Sequence, residues 1–88
     1  MTELDDAKRY RQFWVKELAE IKREMAEIEA RHRAHLPIST AHYIELVRQF
    51  RMATGMVRVS TVAQASIEAR VGIAAIEAYL GELAGGAS

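Results

Sequence analysis

The sequence predicts an all-α protein, either an antiparallel helical hairpin or a three-helix arrangement, with a long coiled-coil-like N-terminal helix. Three observations support this fold class. Residues 1–36 contain neither glycine nor proline, the two residues that most often interrupt a helix. Half of the 88 residues are apolar. Apolar residues in that segment recur three and four positions apart, which keeps one face of a helix towards a partner helix. The only proline, Pro37, separates it from a second segment with similar spacing.

The first helix is expected over about residues 3–35. Thr2 can cap it, and acidic residues in the first turn favour the positive end of the helix dipole. A helix of roughly 33 residues is about 50 Å long, whereas a compact domain of this size is roughly 30 Å across. The molecule should therefore be elongated, self-associating, or both. The seam along this helix consists of Leu4, Ala7, Arg11, Trp14, Leu18, Ile21, Met25, Ile28, His32 and His35.

A turn is expected over residues 36–39, because Pro37 cannot continue a helix and restrains the residue before it. Ser39 or Thr40 then caps a second helix over about 40–53. So short a connection favours antiparallel packing of the two helices. The face turned towards the first helix should present Tyr43, Leu46, Val47, Phe50, Ala53 and Val57.

The helical pattern weakens after residue 53. Gly55 is unfavourable inside a helix, and Thr61 begins a capping-box sequence. We therefore predict a kink or break over 54–60 and a third helix over about 61–83, with one unbroken helix over 40–83 as the alternative. The predicted organisation is a single all-helical domain over residues 1–84, followed by a flexible tail over 85–88.

The last predicted helix is apolar nearly all round, which is typical of a helix buried on more than one side. If the helices pair about Pro37, Leu4 lies near Arg70, and the residues after Val71 extend beyond the first helix. An apolar extension of this kind either folds back at Gly72 or packs into another copy, and we predict a homodimer or higher oligomer. The residues expected at its interface are Leu18, Ile21, Met25, Ile28, Ile73, Ile76 and Leu80.

Two groups of side chains are candidates for binding another protein. Tyr10, Phe13 and Trp14 form an aromatic group, and such residues dominate binding hot spots, although they also serve as core anchors. A second group, Arg48, Arg51 and Arg58, makes one region basic in a chain of zero net charge. Such a stripe is typical of a solvated face; it also suits an acidic protein partner or, less well, a nucleic-acid backbone.

A third group lies around the turn. The pairs Glu29–His32 and His42–Glu45 are symmetric about Pro37, and Glu-x-x-His sequences on facing helices build metal sites in bundles. The alternative is a polar end to the helix pair, held by Glu–His hydrogen bonds or salt bridges. We expect no bound metal and no cofactor, with these four residues as the candidates if a metal binds.

Composition and motifs favour a non-enzymatic protein. Cysteine is absent, which excludes thiol catalysis, and we find neither a glycine-rich phosphate loop nor a nucleophile elbow. The acidic start does not resemble a secretory signal, and no segment approaches a membrane span, so we expect a cytoplasmic location. We predict a protein–protein interaction module: an assembly factor, an adaptor or an inhibitor. The alternatives are a nucleic-acid-associated regulator and a small helical enzyme or metal-binding bundle.

Overall fold

The computed structural model describes residues 2–86 and shows two helices joined by a short turn. Helix α1 spans Glu3–Arg33 and helix α2 spans Thr40–Gly86, with no strands in this range. The two helices pack side by side in an antiparallel hairpin of 79 × 19 × 17 Å. Its radius of gyration is 21.8 Å, against about 12 Å for a compact domain of this length. The predicted all-α, elongated hairpin is confirmed.

A capping box begins α1. The backbone N–H of Asp5 donates to the Thr2 hydroxyl at 3.1 Å, and the Thr2 N–H donates to the Asp5 carboxylate at 3.3 Å. Hydrogen bonding of the Asp5 carboxylate to the Thr2 side chain and to the Thr2 backbone N–H lowers the pKa of that carboxyl. Two backbone groups that a helix start leaves without partners are thereby satisfied.

The turn ends α1 earlier than the seam pattern predicts. The His35 N–H donates to the His32 carbonyl at 3.1 Å and the Leu36 N–H to the Arg31 carbonyl at 2.9 Å. This is the Schellman pattern, and it places His35 in the left-handed region with φ 58°. His35 therefore lies outside the helix, and the predicted seam, which included it, is corrected at that end. The Ser39 hydroxyl accepts from the His42 N–H at 3.2 Å and caps α2.

The core of the hairpin is narrow. Its fully buried apolar residues are Ile21 from α1 with Leu46 and Ala53 from α2. Partly buried apolar side chains pack around this cluster on the predicted seam positions: Trp14, Leu18, Met25, Ile28 and Phe50. The α1 seam is thus buried or half-buried from Leu4 to Ile28, whereas His32 is exposed.

Three side-chain contacts record the register of the two helices. Near the turn, the Tyr43 hydroxyl donates to the Glu29 carboxylate at 2.7 Å. In the middle, Arg11 Nε donates to the Thr61 hydroxyl at 2.8 Å. At the open end, Arg70 Nη2 lies 3.2 Å from Glu3 Oε1. The residue numbers of each pair add to nearly the same value, so the pairing about Pro37 is as predicted and Arg70 lies at the start of α1.

The predicted break over residues 54–60 is wrong, because α2 is one continuous helix. The Thr61 hydroxyl, expected to cap a new helix, instead donates to the Val57 carbonyl of the preceding turn at 2.7 Å, and the Ser60 hydroxyl donates to the same carbonyl at 3.0 Å. The physical reason is burial, since Ala53 and Ser60 lie buried and Val57 half-buried on the face turned to α1. Packing along that face outweighs the low helix propensity of one glycine.

The C-terminal boundary also differs from the prediction. Helix α2 continues past residue 83 to Gly86, so the first two residues of the predicted tail are helical. The remaining two, Ala87 and Ser88, lie outside the described residues. Along the part of the chain that the structure describes, neither helix has a stretch apolar enough to span a membrane.

Replacement of Gly55 by alanine should stabilise the hairpin. Gly55 is helical, and a Cβ added there meets no atom within 4 Å. We therefore expect Gly55→Ala to raise the free energy of unfolding by about 1 kcal/mol, measured by urea denaturation followed by circular dichroism. A decrease would show that α2 bends at this residue in solution.

Replacement of His35 by glycine should also stabilise the protein. A left-handed φ is sterically unfavourable for residues that have a Cβ atom, and glycine has none. We therefore expect His35→Gly to add about 0.5–1 kcal/mol to the free energy of unfolding. His32→Gly is the matched control, because His32 is exposed but helical and its replacement should cost a similar amount. Equal destabilisation by both variants, in thermal melts, would contradict the turn geometry.

Candidate interaction surfaces

The segment of α2 beyond Arg70 has no part of α1 beside it. We call residues 71–83 the overhang; its length is about 20 Å at 1.5 Å per residue. Every residue in it is exposed, although much of it is apolar. Its large side chains are 54–60% exposed, namely Val71, Ile73, Ile76, Tyr79, Leu80 and Leu83. Contiguous exposed apolar surface of this kind marks interaction sites.

A second apolar stripe runs along α2 on the side away from α1. We call it the outer stripe, and its positions are again spaced three and four apart. With heptad geometry its centre lies roughly 150° around the helix from the seam that contacts α1. Residue spacing alone does not reveal this stripe, because in a helix that is apolar nearly all round a second heptad pattern stands out only when the face covered by α1 is known. Its members are Met52, Gly55, Val59, Val62, Ser66, Ala69, Ile73, Ile76, Leu80 and Leu83.

The arginines predicted to bind a partner lie around the turn-proximal half of the outer stripe. Arg48 continues the stripe by one position towards the turn, and Arg51 and Arg58 directly precede two of its members. All three are exposed, and Arg48 forms an ion pair with Glu45 at 3.2 Å. The basic residues therefore flank apolar surface rather than forming a separate stripe. The nucleic-acid alternative stays a prediction.

The three aromatic residues on α1 do form one group. The Trp14 ring meets Tyr10 edge-on with centroids 6.4 Å apart and Phe13 with centroids 5.2 Å apart. Trp14 packs against the core, whereas Tyr10 and Phe13 are 50% and 53% exposed. The indole N–H of Trp14 is buried and has no hydrogen-bond partner among the described residues. Trp14 is thus the core residue of the group, whereas Tyr10 and Phe13 are the rings accessible to a partner.

The four candidate metal ligands do not converge. Glu29 accepts a hydrogen bond from the Tyr43 hydroxyl, which raises the pKa of Tyr43, and Glu45 pairs with Arg48. Between residues 2 and 86, no group of three histidine or acidic side chains is placed to hold a metal ion. His32 instead borders a cleft of about 310 Å³ at the turn, while His42 lies outside it. The cleft is lined by Ile28, Glu29, His32, Arg33, Ile38 and Tyr43.

The residues predicted for an interface between copies divide into two sets. The α1 set consists of Leu18, Ile21, Met25 and Ile28, and these residues pack against α2 within one chain. The hairpin core accounts for them without a second copy. The α2 set consists of Ile73, Ile76 and Leu80, which are exposed on the outer stripe and remain interface candidates.

The accessible surface of the chain shows how much remains uncovered. It amounts to 6763 Å², whereas a compact monomer of this mass exposes about 5,200 Å². The excess of roughly 1,500 Å² exceeds the share of about 800 Å² that each partner contributes to a standard interface. The hairpin as a whole therefore exposes area enough for a partner.

Substitutions on α1 should separate the two roles of the aromatic group. We expect Trp14→Ala to lower the free energy of unfolding by about 2–3 kcal/mol, because its ring packs on the core. Phe13→Ala should cost less than about 1 kcal/mol, since half of its ring is already exposed. Thermal melts of the two variants check this, and a larger loss for Phe13→Ala would make Phe13 a core residue.

These surfaces lie on a simple scaffold: an aromatic group on α1, flanking arginines near the turn, and an outer stripe that ends in the overhang. The outer stripe is the largest, and it lies on a face that α1 leaves uncovered. Comparison of the chain with protein-family models, with curated proteins and with solved structures gives no match.

Proposed function

We propose that this protein is a non-enzymatic interaction module that binds a helix of another protein along the outer stripe. One observation carries the proposal. The α2 helix has apolar positions at heptad spacing on two opposite sides, and α1 covers only one of them. A heptad stripe is the pattern by which one helix packs against another, so the uncovered side fits a helical partner.

The arginines specify the chemistry of that partner near the turn. Arg51 and Arg58 border the stripe where Met52, Val59 and Val62 are 57%, 60% and 65% exposed. Guanidinium groups beside an apolar groove favour a helix whose apolar face is flanked by carboxylates. Such flanking charges set partner choice and orientation, while the apolar positions supply most of the affinity. An assembly factor, an adaptor or an inhibitor would each use the surface in this way.

Capture from the native source tests this proposal. The tagged chain should enrich a protein partner identified by mass spectrometry, and Val62→Glu should abolish the enrichment by placing a charge in the stripe. Val15→Glu is the matched control, because Val15 is also exposed, at 40%, but lies on α1. Circular dichroism verifies that both variants remain helical.

Binding of the purified partner should also weaken with added salt, as expected for flanking Arg–carboxylate contacts. Arg51→Glu with Arg58→Glu should reduce the affinity by about tenfold, measured by calorimetry. Retention of the same proteins by Val62→Glu, or no enrichment by the native chain, contradicts the proposal. Enrichment of nucleic acid in place of protein would select the alternative regulator.

A further inference from the structure

We infer that the distal half of the outer stripe, from Ser66 to Leu83, binds the same segment of a second copy of this chain in antiparallel orientation. The inference rests on the proposed function and names the partner for this half of the stripe. Arg48, Arg51 and Arg58 lie only along the turn-proximal half, so the two halves have different flanking chemistry. In the distal half, the apolar positions are bordered by Arg70 and Glu77, which have opposite charges.

The apolar positions fit this pairing by size. In the antiparallel register centred between Ile73 and Ile76, each outer-stripe residue of one copy lies opposite one outer-stripe residue of the second copy. Leu83 then lies opposite the partner's Ser66, and Leu80 lies opposite the partner's Ala69. The central layer joins Ile76 to the partner's Ile73. Large side chains thus face small ones towards both ends, as close packing of helices requires.

The charged positions select the same register. Arg70 and Glu77 occupy the same heptad position, directly after a stripe residue. In an antiparallel helix pair, residues at this position lie next to residues at the same position of the other helix, which places Arg70 beside the partner's Glu77. Two-fold symmetry forms this contact twice. A shift of one heptad in one direction opposes two Arg70 side chains, and a shift in the other opposes two Glu77 side chains. A parallel pair in register gives Arg70 an alanine neighbour and no charge partner. Only the centred antiparallel register joins opposite charges.

The hairpin leaves this surface accessible. The outer stripe faces away from α1, and the Arg70 side chain is 64% exposed despite its contact with Glu3. The large stripe residues of the overhang, Ile73, Ile76, Leu80 and Leu83, are 54–60% exposed. Covering them and the small residues between them on two copies buries about 1,200 Å², where stable specific interfaces begin. An interface of this size is consistent with a dimer that dissociates in the micromolar range.

Charge reversal on the full chain tests the pairing. Sedimentation equilibrium from about 1 to 100 µM should show a monomer–dimer equilibrium. Arg70→Glu or Glu77→Arg alone should weaken the dimer by about tenfold, because each replaces two attractive contacts with two repulsive ones. The double variant should restore the affinity. Glu82→Arg is the matched control, since it makes the same change in the overhang outside the pairing positions and should have no effect.

Disulfide crosslinking between engineered cysteines tests whether the two α2 segments pair antiparallel, since the chain has no cysteine of its own. A mixture of Ser66→Cys and Leu83→Cys chains should form the mixed disulfide on oxidation, whereas Leu83→Cys alone should not crosslink. A Leu83→Cys homodimer indicates parallel pairing and overturns the inference, as does failure of the double charge variant to restore dimerisation. A monomer throughout the concentration range overturns it too. If such a monomer still captures a partner that Val62→Glu loses, the proposed function stands; if it captures none, both fall.

Discussion

The structure depends on one narrow apolar seam between two helices of unequal length. A hairpin has no third layer, so each helix buries a single stripe, and only three apolar side chains among the described residues are buried. With 31 residues in α1 and 47 in α2, the seam ends before α2 does. The hydrogen bond at the turn and the contact of Arg70 with Glu3 mark the two ends of the seam. This inequality determines which surfaces remain for partners.

The uncovered surfaces differ in chemistry along α2. Towards the turn, exposed valines and a methionine lie among arginines, which suits a partner of opposite charge. From Arg70 onwards the apolar residues are flanked by charges of both signs, Arg70 and Glu77, which suits a segment identical to itself. On the two proposals made above, one helix would serve two partners without either displacing α1. The aromatic group on α1 adds exposed rings on the other helix, supported by Trp14 in the core.

Sequence reasoning succeeds where the fold follows from periodicity over a long segment. The α1 seam, the elongated shape and the pairing that brings Arg70 to the start of α1 all follow from spacing and one proline. It fails where local propensity competes with packing. Gly55 and Thr61 are residues typical of a helix end. The free-energy cost of keeping them inside a helix, about 1 kcal/mol, is smaller than the free energy gained by burying apolar side chains along the continuing seam. At His35 the opposite error occurs: the residue spacing continues the helix, but the backbone hydrogen bonds of the turn end it before this residue. Residue spacing carries no information about those hydrogen bonds.

The turn-centred register also determines how the chain assembles and where it opens. Contacting residues are separated by 14 positions near the turn, by 50 in the middle and by 67 at the open end. Because the entropy lost on closing a loop rises with its length, the hairpin should close progressively from Pro37, and its open end should fray first. The overhang is attached to that end. A second copy bound there would keep that end of α2 helical, so that association and resistance to fraying become coupled in one equilibrium.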